Sequence, residues 1–260
     1  MSRLRAKCPD CRTLTAVALE AGKYECHSCG NTFAGGLVRV PRAWGAGGDP
    51  MAEAAHLELP YPETAVVSEG SLTEQNLALA AALPERPVVL GGCCCTHVGA
   101  VEGLATRYER LAVVWFDAHG DLNTPESSAS GNLWGMPFRM LLDSGTVHPT
   151  DAVLVGARNL DPPEAEFIAA SGLRTGVEEL DGALDGAEAV YVAFDADVLD
   201  PEDEVVCFMP EPSGFTVVEA LALLRRIAAA HPVAGIGLTG LDPAPENVAP
   251  VARLASAAGL

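Results

Sequence analysis

Two strongly apolar runs, Leu111–Phe116 and Val190–Phe194, end in closely spaced metal-binding side chains, which limits the fold more than any other feature. These side chains are Asp117, His119 and Asp121 after the first run and Asp195 and Asp197 after the second. Side chains two residues apart on a strand share a face. Because carboxylates mixed with one imidazole suit divalent ions, the pattern predicts two strand ends that meet at a binuclear metal centre.

The chain after Gly35-Gly36 alternates short β-rich runs with Ala/Leu-rich helical stretches. This pattern predicts a three-layer α/β/α fold with a mostly parallel central sheet covered on both faces. The predicted strands are Leu37–Val40, His56–Leu59, Val88–Leu90, Leu111–Phe116, Ala152–Val155, Val190–Phe194 and Ala234–Leu238. The predicted helices are Thr73–Leu83, Val98–Tyr108, Pro163–Ser171, Thr216–Ala230 and Glu246–Ala258, and Ala43–Pro50 is expected to be a flexible loop. Ligands of such sheets bind beyond the carboxyl ends of the strands, where the acidic clusters fall.

The formal charge of −19 over 260 residues disfavours nucleic acid and acidic membranes as partners. The charge is uneven, since residues 1–34 carry five basic and three acidic side chains. No segment approaches the roughly 18 apolar residues of a membrane span, and the first residues lead into no apolar stretch of a signal peptide. We expect a cytoplasmic protein.

Four of the eight cysteines form two Cys-x-x-Cys pairs near the N-terminus. They are Cys8, Cys11, Cys26 and Cys29, with β-prone sequence and a turn signal at Ala21-Gly22-Lys23 between the pairs. This spacing predicts a zinc ribbon over residues 1–35, in which a hairpin and one structural zinc replace a hydrophobic core. The alternative is four unrelated thiols. His27 is expected to face solvent.

Longer stretches around the acidic clusters resemble the ureohydrolase family of arginase, agmatinase and formiminoglutamase. The resembling stretches are 116–137 and 194–201, with 91–92, 155–162 and 209–215 in the expected order. The resemblance covers residues 36–260. It implies an arginase-like fold and a binuclear-metal hydrolase that cleaves a C–N bond in a guanidino, formimino or related amidine or amide substrate. It also implies a homo-oligomer, either a trimer or a hexamer.

The resemblance assigns a role to each site residue. It implies that Asp117 and Asp195 bridge two metals, that Asp121 completes the first site, and that His119 and Asp197 complete the second. Asp121 and His119 are the implied catalytic residues. The metals are expected to be manganese, with zinc, iron and nickel as alternatives. Asn123, Ser128 and Ser130 match positions that hold the amino-acid end of a small-molecule substrate, and Asp161 matches the position for its amino group. An equally open alternative is that these four are ordinary loop residues.

Three positions depart from the family pattern. Cys94 stands where the family has a metal-binding histidine, and a thiolate favours zinc or iron over manganese. His97, in the first turn of the next helix, is an alternative ligand. Trp134, at a substrate-binding position, replaces a proton-shuttling histidine and has no titratable nitrogen near neutral pH. Gly240 stands where a glutamate clamps guanidinium. These departures indicate a changed substrate, or alternatively a catalytically silent relative that binds a metabolite and offers its ribbon to a partner protein.

Overall fold

A computed structural model describes residues 5–6, 8, 11, 13, 15–20, 23–34 and 36–260. Four strands near the N-terminus are β1 Arg5–Ala6, β2 Ala16–Glu20, β3 Lys23–Cys26 and β4 Thr32–Ala34. They form one antiparallel sheet in sequence order. Ala16 pairs with Cys26 across β2 and β3, which confirms the predicted hairpin. Residues 21–22 of its predicted turn lie outside the described residues.

A second, eight-stranded sheet forms the centre of residues 36–260. Its strands are β5 Gly36–Val40, β6 Glu63–Val66, β7 Pro87–Gly91, β8 Leu111–Phe116, β9 Ala152–Val155, β10 Arg174–Thr175, β11 Ala189–Asp195 and β12 Val233–Thr239. Their order is β10-β9-β8-β11-β12-β7-β5-β6, and every pairing is parallel. Phe116 lies opposite Phe194, so the two acidic clusters begin at adjacent strand ends.

Helices cover both faces of this sheet, which confirms the predicted α/β architecture. They are α1 Asp49–Ala54, α2 Leu72–Ala82, α3 Thr96–Ala105, α4 Pro137–Asp143, α5 Pro162–Ser171, α6 Leu180–Leu184, α7 Val217–Ala230 and α8 Val248–Ala257. Val113 and Trp115 of β8 pack with α2, α3, α4 and α5. Val114 and Phe116, which point the other way, pack with α1, α6, α7 and α8. Burial on both faces explains why β8 is apolar throughout.

The prediction of a strand at His56–Leu59 is wrong, because this segment turns back on α1. Leu57 N donates a hydrogen bond to Ala54 O at 3.1 Å. Leu57 and Leu59 are buried and Glu58 between them is exposed, so a core-facing turn reproduces the alternation of a strand. The edge strand of the sheet is β6 instead.

Several short elements were absent from the prediction. The expected loop Ala43–Pro50 has no helix or strand as far as Gly48, and α1 takes its last two residues. Strands β6 and β10 and helices α4 and α6 were also missed. All are seven residues or shorter, so they carry little periodicity. Within the described part of the chain, no helix is long and apolar enough to cross a membrane.

Candidate metal centre

Four neighbouring strands end around one site. Asp117 follows β8, Asp195 ends β11, Thr239 ends β12 and Cys94 lies in the turn after β7. Because these strands are parallel and adjacent, their carboxyl ends meet at one edge of the sheet. Cys94 Sγ lies 2.8 Å from Asp195 Oδ2 and 3.8 Å from Asp117 Oδ2. A cavity of about 160 Å³ opens above them.

Five of the six predicted metal ligands lie together in two overlapping groups. The ligand atoms of each group lie within 4.8 Å of one another, and the groups are Cys94, Asp117 and Asp121, and Asp117, His119 and Asp197. Asp195 joins them, since its Oδ1 accepts a hydrogen bond from Asp197 N at 3.0 Å while its Oδ2 contacts Cys94. The structure therefore brings together side chains that are up to 103 positions apart in the sequence, as Cys94 and Asp197 are.

Asp121 supplies an observation that favours a cation at this site. Its Oδ2 is buried and has no hydrogen-bond partner among the described residues. Its backbone has φ 52°, a left-handed conformation that costs an L-residue about 1–2 kcal/mol. A buried carboxylate oxygen without a partner is unfavourable by a further 1–3 kcal/mol or so. A divalent ion shared with Cys94 and Asp117 satisfies this oxygen, so the residues present fit the metal that the sequence predicts.

His119 connects the second group. Its Nδ1 lies 2.9 Å from Asp197 Oδ2 and 3.5 Å from Asp117 Oδ1, and its Nε2 lies 3.4 Å from Glu211 Oε1. Burial opposes a charge on this imidazole, but hydrogen bonds to Asp117 and Asp197 outweigh it and raise its pKa to about 12. In the metal-free protein an imidazolium therefore offsets part of the negative charge.

Burial raises the pKa of each of the four carboxylates in the predicted ligand set. Burial and the charge of Asp197 raise the pKa of Asp195 to about 7. Burial and the charge of Asp117 raise the pKa of Asp197 to about 6. Burial, followed by the charges of Asp117 and Asp195, raises the pKa of Asp121 well above its usual range. A buried cluster of like charges is stable only when protons or cations compensate it.

His97 has a different environment from the predicted ligands. It is fully buried, and its Nδ1 and Nε2 lie 3.0 Å from the Tyr191 hydroxyl and 3.1 Å from Thr239 Oγ1. Burial lowers its pKa to about 3, so the ring is neutral. Both ring nitrogens have partners, so the structure does not bring His97 into the ligand set.

The predicted substrate-binding residues all line the cavity. They are Asn123, Ser128, Ser130, Trp134 and Asp161. Asn123 Nδ2 donates to Asp161 Oδ2 at 2.9 Å, and its Oδ1 accepts from the Ser127 hydroxyl at 2.8 Å. Asp161 also caps the N-terminus of α5 together with Glu164. The hydrogen bond between Asn123 and Asp161 thus fixes the orientation of both side chains in the cavity wall.

Gly240 leaves no side chain where the family pattern has a carboxylate. Its φ is +70°, and a Cβ built there would lie 2.1 Å from Asp195 Oδ1. The backbone after β12 therefore passes directly against a predicted metal ligand. Only glycine fits at this distance and this φ.

Three residues that the sequence reasoning did not assign also support the site. Thr239 Oγ1 donates to Asp195 Oδ2 at 3.2 Å. Glu211 faces His119, and the guanidinium of Arg158 donates to the carbonyl oxygens of Asp197 and Glu211 at 2.6 and 2.7 Å. Thr239 ends the strand next to β11, so the strand order of the sheet would have indicated its position beside Asp195. Arg158 and Glu211 lie in the recognised stretches 155–162 and 209–215.

The parallel sheet and the two adjoining carboxylate-rich groups of potential metal ligands define an α/β protein with a candidate metal centre at the edge of its sheet. The family model described as Arginase, Arginase family, matches residues 50–258, and the chain belongs to that family. Arginase from Bacillus caldovelox is 32% identical over a 205-residue alignment, and the match covers 66% of this chain and 69% of that protein. Arginase from Staphylococcus aureus strain COL is 31% identical over 182 residues, 60% of each chain.

The solved structures agree with this assignment. The native structure of Bacillus caldovelox arginase at pH 5.6 superposes with a TM-score of 0.73 and 26% identity. The superposition covers 86% of this chain and 97% of that one. The arginase-like fold predicted from the sequence is therefore confirmed.

Proposed function

We propose that this chain is a binuclear metal-dependent hydrolase of a C–N bond in a guanidino, formimino or related amidine or amide substrate. The observation that carries the proposal is the partnerless, buried Asp121 Oδ2, which lies among four further ionisable ligands at the edge of the sheet. Membership of the arginase family supports hydrolytic metal chemistry at this position. The residues that line the cavity indicate the class of substrate.

The chain offers a complete ligand set for two ions. In this proposal Asp117 and Asp195 would serve both ions, Cys94 and Asp121 would hold one, and His119 and Asp197 would hold the other. Two divalent ions supply a water of lowered pKa and polarise the carbon that is attacked. Manganese is the first choice by family, and zinc, iron and nickel are the alternatives.

The chain's own residues then handle the protons. Asp121 is the proposed acceptor of the proton that leaves the attacking water, through the carboxylate oxygen that a bound ion would leave free. Trp134 cannot act as the general acid, since its indole nitrogen only donates a hydrogen bond. Asp121 is therefore also the proposed source of the proton that reaches the departing nitrogen. His119, held by Asp197, fixes the orientation of the second group.

The charge of the cavity favours a substrate with a positive or neutral nitrogen-bearing end. Six carboxylate side chains line it, namely Asp117, Asp121, Asp161, Glu164, Asp195 and Asp197. Among the described residues, no lysine or arginine lines it. The proposed contacts for an amino-acid end are the hydroxyls of Ser128 and Ser130 for a carboxylate and Asp161 for an amino group. Because Gly240 offers no carboxylate, a guanidinium would lack a bidentate partner there, which favours a smaller or less charged reacting group.

Metal analysis and a substrate panel test the proposal together. Full-length protein loaded with manganese, zinc, iron or nickel is offered guanidino, formimino and amide compounds, and urea, ammonia and formamide are measured. We expect more than one metal per chain beyond a ribbon zinc, and turnover that Asp121→Asn abolishes. Asp161→Asn, as a matched carboxylate removal away from the ions, should raise KM and leave kcat close to wild type. One zinc per chain and no product with any metal would identify a catalytically silent protein.

We further propose that Cys8, Cys11, Cys26 and Cys29 bind one structural zinc over residues 1–35. The Sγ atoms of Cys8 and Cys29 lie 3.7 Å apart, and those of Cys11 and Cys26 lie 3.5 Å apart. Tetrahedral coordination with Zn–S bonds of about 2.3 Å requires sulfur separations of about 3.8 Å. The four thiols are thus arranged at nearly the required spacing. Self-association to a trimer or hexamer also remains part of the proposal, and sedimentation measures it.

A further inference from the structure

The two halves of the proposed centre present different donor chemistry. One half combines the sulfur of Cys94 with carboxylate oxygens, and the other combines the imidazole of His119 with carboxylate oxygens. Thiolates select zinc, iron and similar thiophilic ions, whereas sites rich in carboxylate also suit manganese. Two unlike donor sets that meet at Asp117 favour two unlike ions.

Cys94 belongs to the buried core, but its sulfur also faces the oxygen atoms of the site. It is 4% exposed and belongs to the cavity lining, and its Sγ lies within 3.8 Å of oxygens on Asp117, Asp195 and Thr239. A thiol that only fills space is normally surrounded by apolar atoms. Neighbouring Cys95 differs from Cys94, because it is fully buried and does not line the cavity.

No imidazole can replace the sulfur on this side of the site. His97 is the nearest candidate in sequence, and its nitrogens are used by Tyr191 and Thr239. With the Tyr191 hydroxyl donating to Nδ1, Nε2–H donates to Thr239 Oγ1, and the Thr239 hydroxyl donates to Asp195. This chain of hydrogen bonds holds His97 behind the ligands. Cys93 also lines the cavity, but its Sγ accepts a hydrogen bond from Trp44 N at 3.4 Å, and among the described residues it is Cys94 whose sulfur groups with Asp117 and Asp121.

We propose that the Cys94 half is a thiophilic site that selects zinc, cobalt or iron over manganese, which makes the centre hetero-binuclear when both kinds of ion are present. The inference rests on the proposed binuclear function and specifies the metal of one half. The His119 half, with its oxygen-rich donor set, is the site that manganese can fill.

Cobalt(II) is the probe, because a cobalt–thiolate bond produces a charge-transfer band in the near ultraviolet. Full-length protein is first given one equivalent of zinc, which the four-thiolate ribbon retains, and is then titrated with cobalt. We expect one further cobalt with a thiolate band in the wild type. Cys94→Ser should bind cobalt without that band, and the matched variant Cys95→Ser should keep it.

A competition between zinc and manganese gives the second readout. For the first ion bound after the ribbon zinc, we expect the ratio of zinc affinity to manganese affinity to fall at least about tenfold in Cys94→Ser and Cys94→His. The loss of even a residue that only orients a ligand weakens metal sites about 10–100-fold. Thermal unfolding of the metal-free variants checks that they fold, and the wild-type cobalt spectrum decides the question without them. Two bound ions with no thiolate band in the wild type would overturn this inference and leave the hydrolase proposal standing. No ion beyond the ribbon zinc would overturn the hydrolase proposal as well.

Discussion

Replacing Gly240 with alanine is expected to disrupt the metal centre, although the residue has no side chain to lose. A Cβ at this position would lie 2.1 Å from Asp195 Oδ1 and 2.6 Å from both Cγ and Oδ2. Contacts of a Cβ below 3.0 Å essentially do not occur, so the carboxylate must move by about 1 Å. Metal–ligand distances tolerate only about 0.2 Å.

Gly240→Ala is expected to lower both the free energy of unfolding and the metal affinity, and a matched glycine variant separates the two effects. Gly172 has φ +76°, close to the +70° of Gly240, and a Cβ there would meet nothing within 4 Å. Gly172→Ala should therefore show only the conformational cost of a left-handed L-residue, about 1–2 kcal/mol. Gly240→Ala should show that cost and, in addition, a loss of metal affinity of about 100-fold or more.

Metal titration calorimetry and chemical unfolding of both variants measure the two parts. Unchanged metal affinity in Gly240→Ala, equal to that of Gly172→Ala, would refute the inferred contact with Asp195. The same contact predicts that Gly240→Glu does not restore a guanidinium clamp, because the new side chain must displace Asp195 before it reaches the cavity.

Three further outcomes are expected. Metal affinity should rise with pH between about 6 and 8, because metal binding displaces protons from two ligands. The pKa of His119 is raised to about 12 and that of Asp195 to about 7, so His119 is protonated and Asp195 partly so in this range. Calorimetry in buffers of different ionisation enthalpy measures the protons released, and a metal affinity that does not change with pH would contradict the prediction. The pKa of His97 is lowered to about 3, so its contribution to stability is complete above its unfolded value of about 6.5 and is lost as pH falls. Wild type should therefore lose about 2 kcal/mol more than His97→Gln between pH 7 and pH 5 in urea unfolding, and equal losses would rule this out. Cys8→Ser should release the ribbon zinc and leave the metals of the other centre bound, as metal content per chain will show; a variant that keeps its zinc would argue against the tetrahedral site.

The sequence predicted the layout of the fold because its longest elements are unambiguous. The apolar run Leu111–Phe116 is too hydrophobic for anything but a strand buried on both faces, and it is central β8. The Thr216–Ala230 helix was predicted from its Ala/Leu-rich sequence, and Thr216 with Glu219 forms the capping box at its start. The turn at 56–59 was misread because two buried leucines separated by an exposed glutamate fit a strand equally well.

The ligand set was predictable because parallel strand ends meet at one edge, and each metal-binding group follows a strand. What the sequence did not show was the layer behind the ligands. Nothing local to Thr239 or His97 indicates that they form a buried hydrogen-bonded chain to Asp195, since that depends on the order of β11, β12 and β7 in the sheet. Likewise, the reason for glycine at 240 is a distance to Asp195, 45 positions away.

The indole of Trp134 occupies space that two glycines leave open. A Cβ at Gly45 would lie 2.3 Å from its Cζ3, and one at Gly48 would lie 3.0 Å from the same atom. A side chain at Gly45 would collide with the ring alone, whereas one at Gly48 would first meet Ala43 Cβ at 2.5 Å. Positions 45 and 134 should therefore covary among relatives, so that chains with a smaller residue at 134 are free to carry a side chain at 45. A relative that breaks this rule marks a lineage in which the cavity wall was rebuilt differently.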